Sequence, residues 1–153
     1  MKDEILVSIV CTTFNHEKYI EDAINSFLMQ VTDFKYELII HDDASTDSTP
    51  SIIRKYVEKY PAIIHPIIQE ENQYSKGINI LESYELPVAN GKYIAFCEGD
   101  DYWTDPEKLQ KQVNVLEKHP ECDICAHSAD VVSAEDKSVL RKINPSETNT
   151  ILD

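Results

Sequence analysis

The chain has 153 residues, 42% of them apolar and 27% charged, and its 14 basic against 28 acidic side chains leave a net charge of −14. A folded, soluble chain of this size buries about 70% of its unfolded surface, and its acidity argues against nucleic acid or an anionic membrane as the main partner. No apolar run reaches the ~18 residues of a membrane span, and an anionic substrate would need a local cation, most simply a divalent metal.

Met1-Lys2-Asp3-Glu4 leads straight into Ile5–Cys11, which reads as a buried strand without a signal-peptide core. Thr12-Thr13-Phe14-Asn15 is a polar turn. From His16 to Gln30, Tyr19, Ile20, Ala23, Ile24, Phe27 and Leu28 fall at helical spacing, with Asn15 as the expected cap. A second strand, Tyr36–His41, runs into Asp42-Asp43-Ala44-Ser45-Thr46-Asp47. Ser48 or Thr49, with Pro50 behind them, opens a second helix whose apolar face includes Ile52, Ile53, Tyr56, Val57 and Tyr60, and Pro61 ends it.

Ile63–Ile68 is strand-like, but Pro66 removes a ladder donor and predicts a sheet edge. After the polar loop from Gln69 to Lys76, a third helix is expected over Gly77–Ala89, broken by Pro87 and capped by Asn90-Gly91. Residues 92–98 form a fourth buried strand, ending in Glu98-Gly99-Asp100-Asp101. Asp105-Pro106-Glu107 starts a helix that runs to Lys118. Cys122–Val132 reads as a fifth strand and Val139–Ile143 as a further short one, with an irregular tail over 144–153. Cys11 and Cys97 read as buried thiols, and Cys122-x-x-Cys125 is too weak a pattern to name a metal site. With no signal peptide, the expected location is a reducing one, the cytoplasm.

Strands alternating with helices predict one α/β domain over 1–153, a mainly parallel sheet with helices on both faces in three layers. Right-handed crossovers place the turns after strands one, two and four on one edge, where open α/β sheets bind ligands. Glu98, Asp100 and Asp101 at that edge repel one another unless a cation sits among them. Mg2+ is characteristically held by one or two carboxylates and substrate phosphates. These turns therefore point to a metal-diphosphate site.

Three segments carry a resemblance: Val7-Ser8-Ile9-Val10-Cys11-Thr12-Thr13-Phe14-Asn15, Ile39-Ile40-His41-Asp42-Asp43-Ala44-Ser45-Thr46-Asp47, and Gly91-Lys92-Tyr93-Ile94-Ala95-Phe96-Cys97-Glu98-Gly99-Asp100-Asp101. In this order the sequence, from about residue 5 to 130, resembles the family 2 inverting glycosyltransferases of the Rossmann-like GT-A fold. The resemblance implies a nucleotide-diphosphate sugar as donor, a glycan or lipid-linked acceptor, and Mn2+ or Mg2+ as cofactor. It places Thr12, Thr13 and Phe14 at the nucleotide, with Phe14 stacking on the base. Asp43 accepts a hydrogen bond from the base, with Asp42 beside it. Asp100 serves the ribose and the metal, Asp101 ligates the metal, and Lys76 lies where the family often supplies a basic contact.

Family members usually continue for about 100 residues past this chain's end, so the resemblance implies an N-terminal donor-binding part. The general base is expected beyond residue 153, the acceptor side with it, and weak turnover from these residues alone. The full-length protein is expected in the cytoplasm or peripheral at the inner face of the membrane. A nucleotide-binding module without turnover is the alternative. A sugar-phosphate nucleotidyltransferase would need a glycine- and arginine-rich loop after the first strand. A P-loop NTPase would need GxxxxGK[ST], which does not occur among only three glycines.

Overall fold

The computed structural model describes residues 4–144. They divide into two compact units, with the boundary after Gln110. In the first, β1 (Ile5–Thr13), β2 (Lys35–Asp42), β3 (Ile64–Ile68) and β4 (Tyr93–Phe96) form a four-stranded sheet in the order β3-β2-β1-β4, and every pairing is parallel. The Pro66 strand is at the edge, as its missing N–H requires. β1 and β2 lie inside, and the buried Val7, Ile9, Cys11, Leu38, Ile39 and Ile40 fit a strand pair covered on both faces.

Period-two alternation sorts the two faces. On one face lie Ser8 and Thr12 of β1 beside Glu37 and His41 of β2. The segment 81–85 covers this face, with Tyr84 packed on His41 and Glu85 bonded to Thr12. On the other face, Tyr36 Oη donates to the carbonyl of Phe27 in α1 (Ile20–Leu28), and α1 packs on α2 (Thr49–Lys59). The sheet is thus sandwiched between layers, as the alternating pattern predicts.

The expected helix over 77–89 is not a continuous α-helix. Residues Leu81–Glu85 form a π-turn closed by Leu86 N–H on the Leu81 carbonyl, and Leu86–Val88 form a 3-10 turn. Pro87 has no N–H for an i−4 bond, and its ring crowds the carbonyl four residues back, so the segment is broken into wide and tight turns. Asn90-Gly91 does not act as a C-cap there. Asn90 N–H donates to Glu37 Oε1 at 2.7 Å and Gly91 N–H to Ser8 Oγ at 2.8 Å, while Ser8 Oγ donates to Glu37 Oε1 at 2.6 Å. A Cβ at Gly91 would lie 2.4 Å from the Ser8 backbone nitrogen, so glycine is needed for that approach.

The first helix also starts later than expected, at Ile20, with Tyr19 and not Asn15 at its cap. α3 (Lys108–Lys118) begins after Asp105, whose Oδ1 accepts the Glu107 N–H at 2.9 Å.

In the second unit, β5 (Ala129–Val132) pairs antiparallel with β6 (Val139–Ile143) as a two-stranded sheet of its own. The fifth strand is therefore shorter than Cys122–Val132 and, among the described residues, pairs with no strand of the parallel sheet. Asp123, His127, Ser128 and Asp130 interrupt the apolar run, and a strand buried on both faces cannot carry them uncompensated. Of the expected irregular tail, 144–153, Asn144 alone is among the described residues.

Candidate functional site

The chain reaches β3 by stepping outward from β1 through β2, then crosses back to place β4 on the other side of β1. The order therefore reverses between β1 and β4, and a crevice opens beyond their carboxyl ends. A cleft of about 200 Å3 lies there. From β1 and its turn it is lined by Thr12, Thr13, Phe14 and His16, and from the other turns by Asp43, Glu98 and Asp100. Asn72, Tyr74 and Ile80 complete the lining.

Backbone bonds draw the acidic turn against the end of β1. Cys97 N–H donates to the Val10 carbonyl at 3.2 Å and Gly99 N–H to the Thr12 carbonyl at 2.9 Å, continuing the ladder past β4. Asp101 N–H closes the turn on the Glu98 carbonyl at 3.1 Å. Gly99 is required by proximity, since a Cβ there would meet Thr13 Cβ and Oγ1 at 2.7 Å and His16 Nδ1 at 3.0 Å.

Two further turns are latched together. Asn15 adopts a left-handed backbone, φ 57°, and its Oδ1 accepts Thr46 N–H at 2.8 Å. Asn15 N–H donates to Ser45 Oγ at 2.8 Å, Glu17 N–H to Asp47 Oδ2 at 3.1 Å, and Ser48 N–H to Glu17 Oε2 at 3.0 Å. Asp42 is fully buried and holds Ser45 through both carboxylate oxygens, accepting from its Oγ and its N–H. Next to it Ala44 has φ 63°, strained for a residue with a Cβ. These bonds set Phe14 at the cleft rim with 43% of its surface open.

Asp43 is 2% exposed. Its Oδ1 accepts Gln73 N–H at 2.7 Å and its Oδ2 accepts Tyr74 N–H at 3.0 Å. Asn72 Nδ2 also donates to its carbonyl at 3.0 Å. Asp43 thus builds the 72–74 wall and is itself part of the cleft lining. Asp100 is half-exposed, 3.8 Å from His16 Nε2. Burial, then the charge of Asp100, pushes the Asp101 carboxyl up, with His16 acting against them. Burial pushes the Cys97 thiol up to about 12, with Asp101 next in effect.

Five of the eight residues singled out by sequence share the cleft: Thr12, Thr13, Phe14, Asp43 and Asp100. Asp101, next to Asp100 in the chain, is not among the residues that line it. Asp42 does not line it, and Lys76 does not either, being paired with Glu71 in the turn Tyr74–Lys76. His16, Tyr74 and Glu85, which bonds to Thr12, carried no motif or periodic signal. Only the folding of loops against the end of β1 brings them to the site. Trp103 packs edge-on against Phe27, ring centroids 4.8 Å apart, as a core residue.

Known proteins resemble the chain. The family model described as Glycosyl transferase family 2 matches residues 8–151. An uncharacterised protein of Mycobacterium tuberculosis is 47% identical over 126 residues, covering 82% of this chain and 36% of its own length. An Escherichia coli protein named UDP-Glc:alpha-D-GlcNAc-diphosphoundecaprenol beta-1,3-glucosyltransferase WfaP is 38% identical over 112 residues, 73% of this chain and 41% of its own. The chain thus spans about two fifths of the length of these relatives. Among solved structures, Staphylococcus aureus TarS 1-349 in complex with UDP superposes with a TM-score of 0.63 at 31% identity, over 76% of this chain and 33% of that one.

Proposed function

This chain belongs to glycosyl transferase family 2, and from that premise we propose that its cleft binds the nucleoside diphosphate half of a sugar donor, for inverting transfer to a hydroxyl of a glycan or lipid-linked acceptor. The observation that carries this reading is the convergence of Thr12, Phe14, Asp43 and Asp100 on one cleft at the β1/β4 switch point. WfaP is named for UDP-Glc and TarS is seen with UDP, so a uridine nucleotide is the first donor to test. No helix of the described residues is long and apolar enough to cross a membrane. From the family, and not from that absence, we place the enzyme in the cytoplasm, working on an acceptor at the inner face of the membrane.

The exposed face of Phe14 offers the flat apolar platform that a base stacks on. The free lone pairs of Asp43 accept from the base edge. Asp100, at the mouth of the cleft, faces the ribose and diphosphate.

A divalent cation fits the acidic turn. The described residues hold no cage of three or more His, Cys, Asp or Glu, and Mg2+ or Mn2+ held with a diphosphate needs only one or two carboxylates. Asp100 and Asp101 supply hard oxygen donors; burial first, and then the charge of Asp100, raises Asp101, and a cation would relieve the repulsion between the two. When bound, the cation neutralises the charge that gathers on the leaving diphosphate.

Calorimetric titration with UDP-, GDP- and dTDP-sugars, with and without Mn2+, tests the reading. The expected result is Mn2+-dependent binding that weakens about tenfold in Asp101→Ala. No binding, or binding that ignores Mn2+ in both proteins, would overturn it.

A further inference from the structure

Glu85 is 2% exposed, and burial holds its carboxyl above the usual range. Among the described residues no cation pairs with it; its hydrogen bond comes from Thr12 Oγ1, which donates to Glu85 Oε1 at 2.8 Å. A buried carboxylate without an ionic partner is costly. The fold nonetheless presents it to Thr12, on the wall of the cleft.

A threonine hydroxyl has one hydrogen and two lone pairs. Left alone, it can rotate to donate or to accept. With its hydrogen committed to Glu85, Thr12 offers the cleft lone pairs only. Asp43, when ionised, is likewise an acceptor and nothing else. Thr12 and Asp43 then ask the same thing of a ligand, a ring N–H.

Resting on the nucleotide-diphosphate reading above, we propose that Glu85 is a specificity-determining positioning residue: it fixes the Thr12 hydroxyl as an acceptor, so that the cleft takes a base with a ring N–H on its pairing edge. Uracil and guanine carry that N–H. Cytosine and adenine place a ring-nitrogen lone pair there, which would meet the Thr12 and Asp43 lone pairs head on. Glu85 therefore acts at one remove, through Thr12, and it selects the nucleotide without touching it.

The test is calorimetric titration of the chain with UDP, GDP, CDP and ADP in the presence of Mn2+. The wild type is expected to bind UDP or GDP more than tenfold tighter than CDP and ADP. Glu85→Leu frees the Thr12 hydrogen to donate, and it is expected to lower the UDP-to-CDP affinity ratio about tenfold. Thr12→Val lowers it by a similar factor, Thr12→Ser keeps it, and the double variant Thr12→Val, Glu85→Leu loses no more than Thr12→Val alone. A purely structural role for Glu85 would instead weaken all four nucleotides alike. If Glu85→Leu does not fold, the contrast between Thr12→Val and Thr12→Ser decides. Wild-type binding that does not discriminate, or a ratio unmoved by Glu85→Leu and Thr12→Val, overturns the role of Glu85 alone. Absence of binding by all four nucleotides overturns the nucleotide reading itself.

Discussion

Gly99 shows how narrow the tolerance is at single positions. The acidic turn reaches the cleft because a residue without a Cβ lets it lie on Thr13 and His16, 2.7 Å and 3.0 Å from where that atom would be. Thr13 is buried and its short side chain cannot swing away. Gly99→Ala is therefore expected to push the turn outward, with Asp100 and Asp101 on it. Affinity for the Mn2+-nucleotide complex should fall about tenfold, while the fold loses about 1–3 kcal/mol to overpacking. Calorimetry and urea denaturation read the two effects separately.

His41 gives a second prediction, in pH. It is fully buried, with Nε2 3.2 Å from Gln69 Nε2. Burial pushes its pKa below the ordinary 6.5 against the opposing pull of Asp43 and then Asp42. The unfolded chain therefore takes up this proton before the folded one does. The stability involved is present above 6.5 and is lost as pH falls from there toward the lowered folded value. Urea midpoints should decline as pH drops below about 6.5, and less steeply in His41→Asn. An equal decline in both proteins would remove His41 as the cause.

Between residues and whole fold, the turns that follow β1 and β2 behave as one element. Asn15, Glu17, Ser45 and Asp47 exchange bonds across two loops 30 residues apart in sequence. Asp47 is their pivot, accepting from Glu17 N–H and from Thr49 N–H at 2.9 Å. Asp47→Ala removes both and is expected to cost about 1–2 kcal/mol, the worth of a helix cap. It should also loosen the turn that carries Phe14, weakening nucleotide binding although Asp47 does not line the cleft. A Tm and an affinity both equal to wild type would show the latch to be idle. The composition of this stretch, rich in Asp, Ser and Thr, suits a turn, a cap and a ligand loop alike. Sequence therefore located the loop but could not divide its labour: Asp42 holds Ser45, Asp47 holds two backbone donors, and Asp43 builds the cleft wall.

At the scale of the molecule, β1 and β2 occupy the middle of the sheet and carry the most deeply buried side chains, among them Ile9, Cys11, Ile39 and Ile40. Amide exchange is expected to be slowest there. In β5 and β6 it should be markedly faster, because a two-stranded ribbon with exposed side chains is marginal by itself. Protection in the hairpin equal to that in β1 would overturn this.

The sequence by itself determined the parallel α/β sheet, the edge position of the Pro66 strand and the three polar turns at one end. Runs of buried β-branched residues, a proline without a donor and helical spacing are local features that survive without tertiary contacts. The tertiary structure decided the rest. It made the segment around Pro87, expected as an α-helix, into a π-turn and a 3-10 turn, because the bonding pattern within such a segment is not displayed by composition. It removed the β5 segment from the parallel sheet. It brought His16 and Tyr74 to the cleft from loops without periodicity, and Glu85 against Thr12. Their place is set by which strand end each loop folds against, and that follows from the strand order, where the chain passes from β3 across to β4.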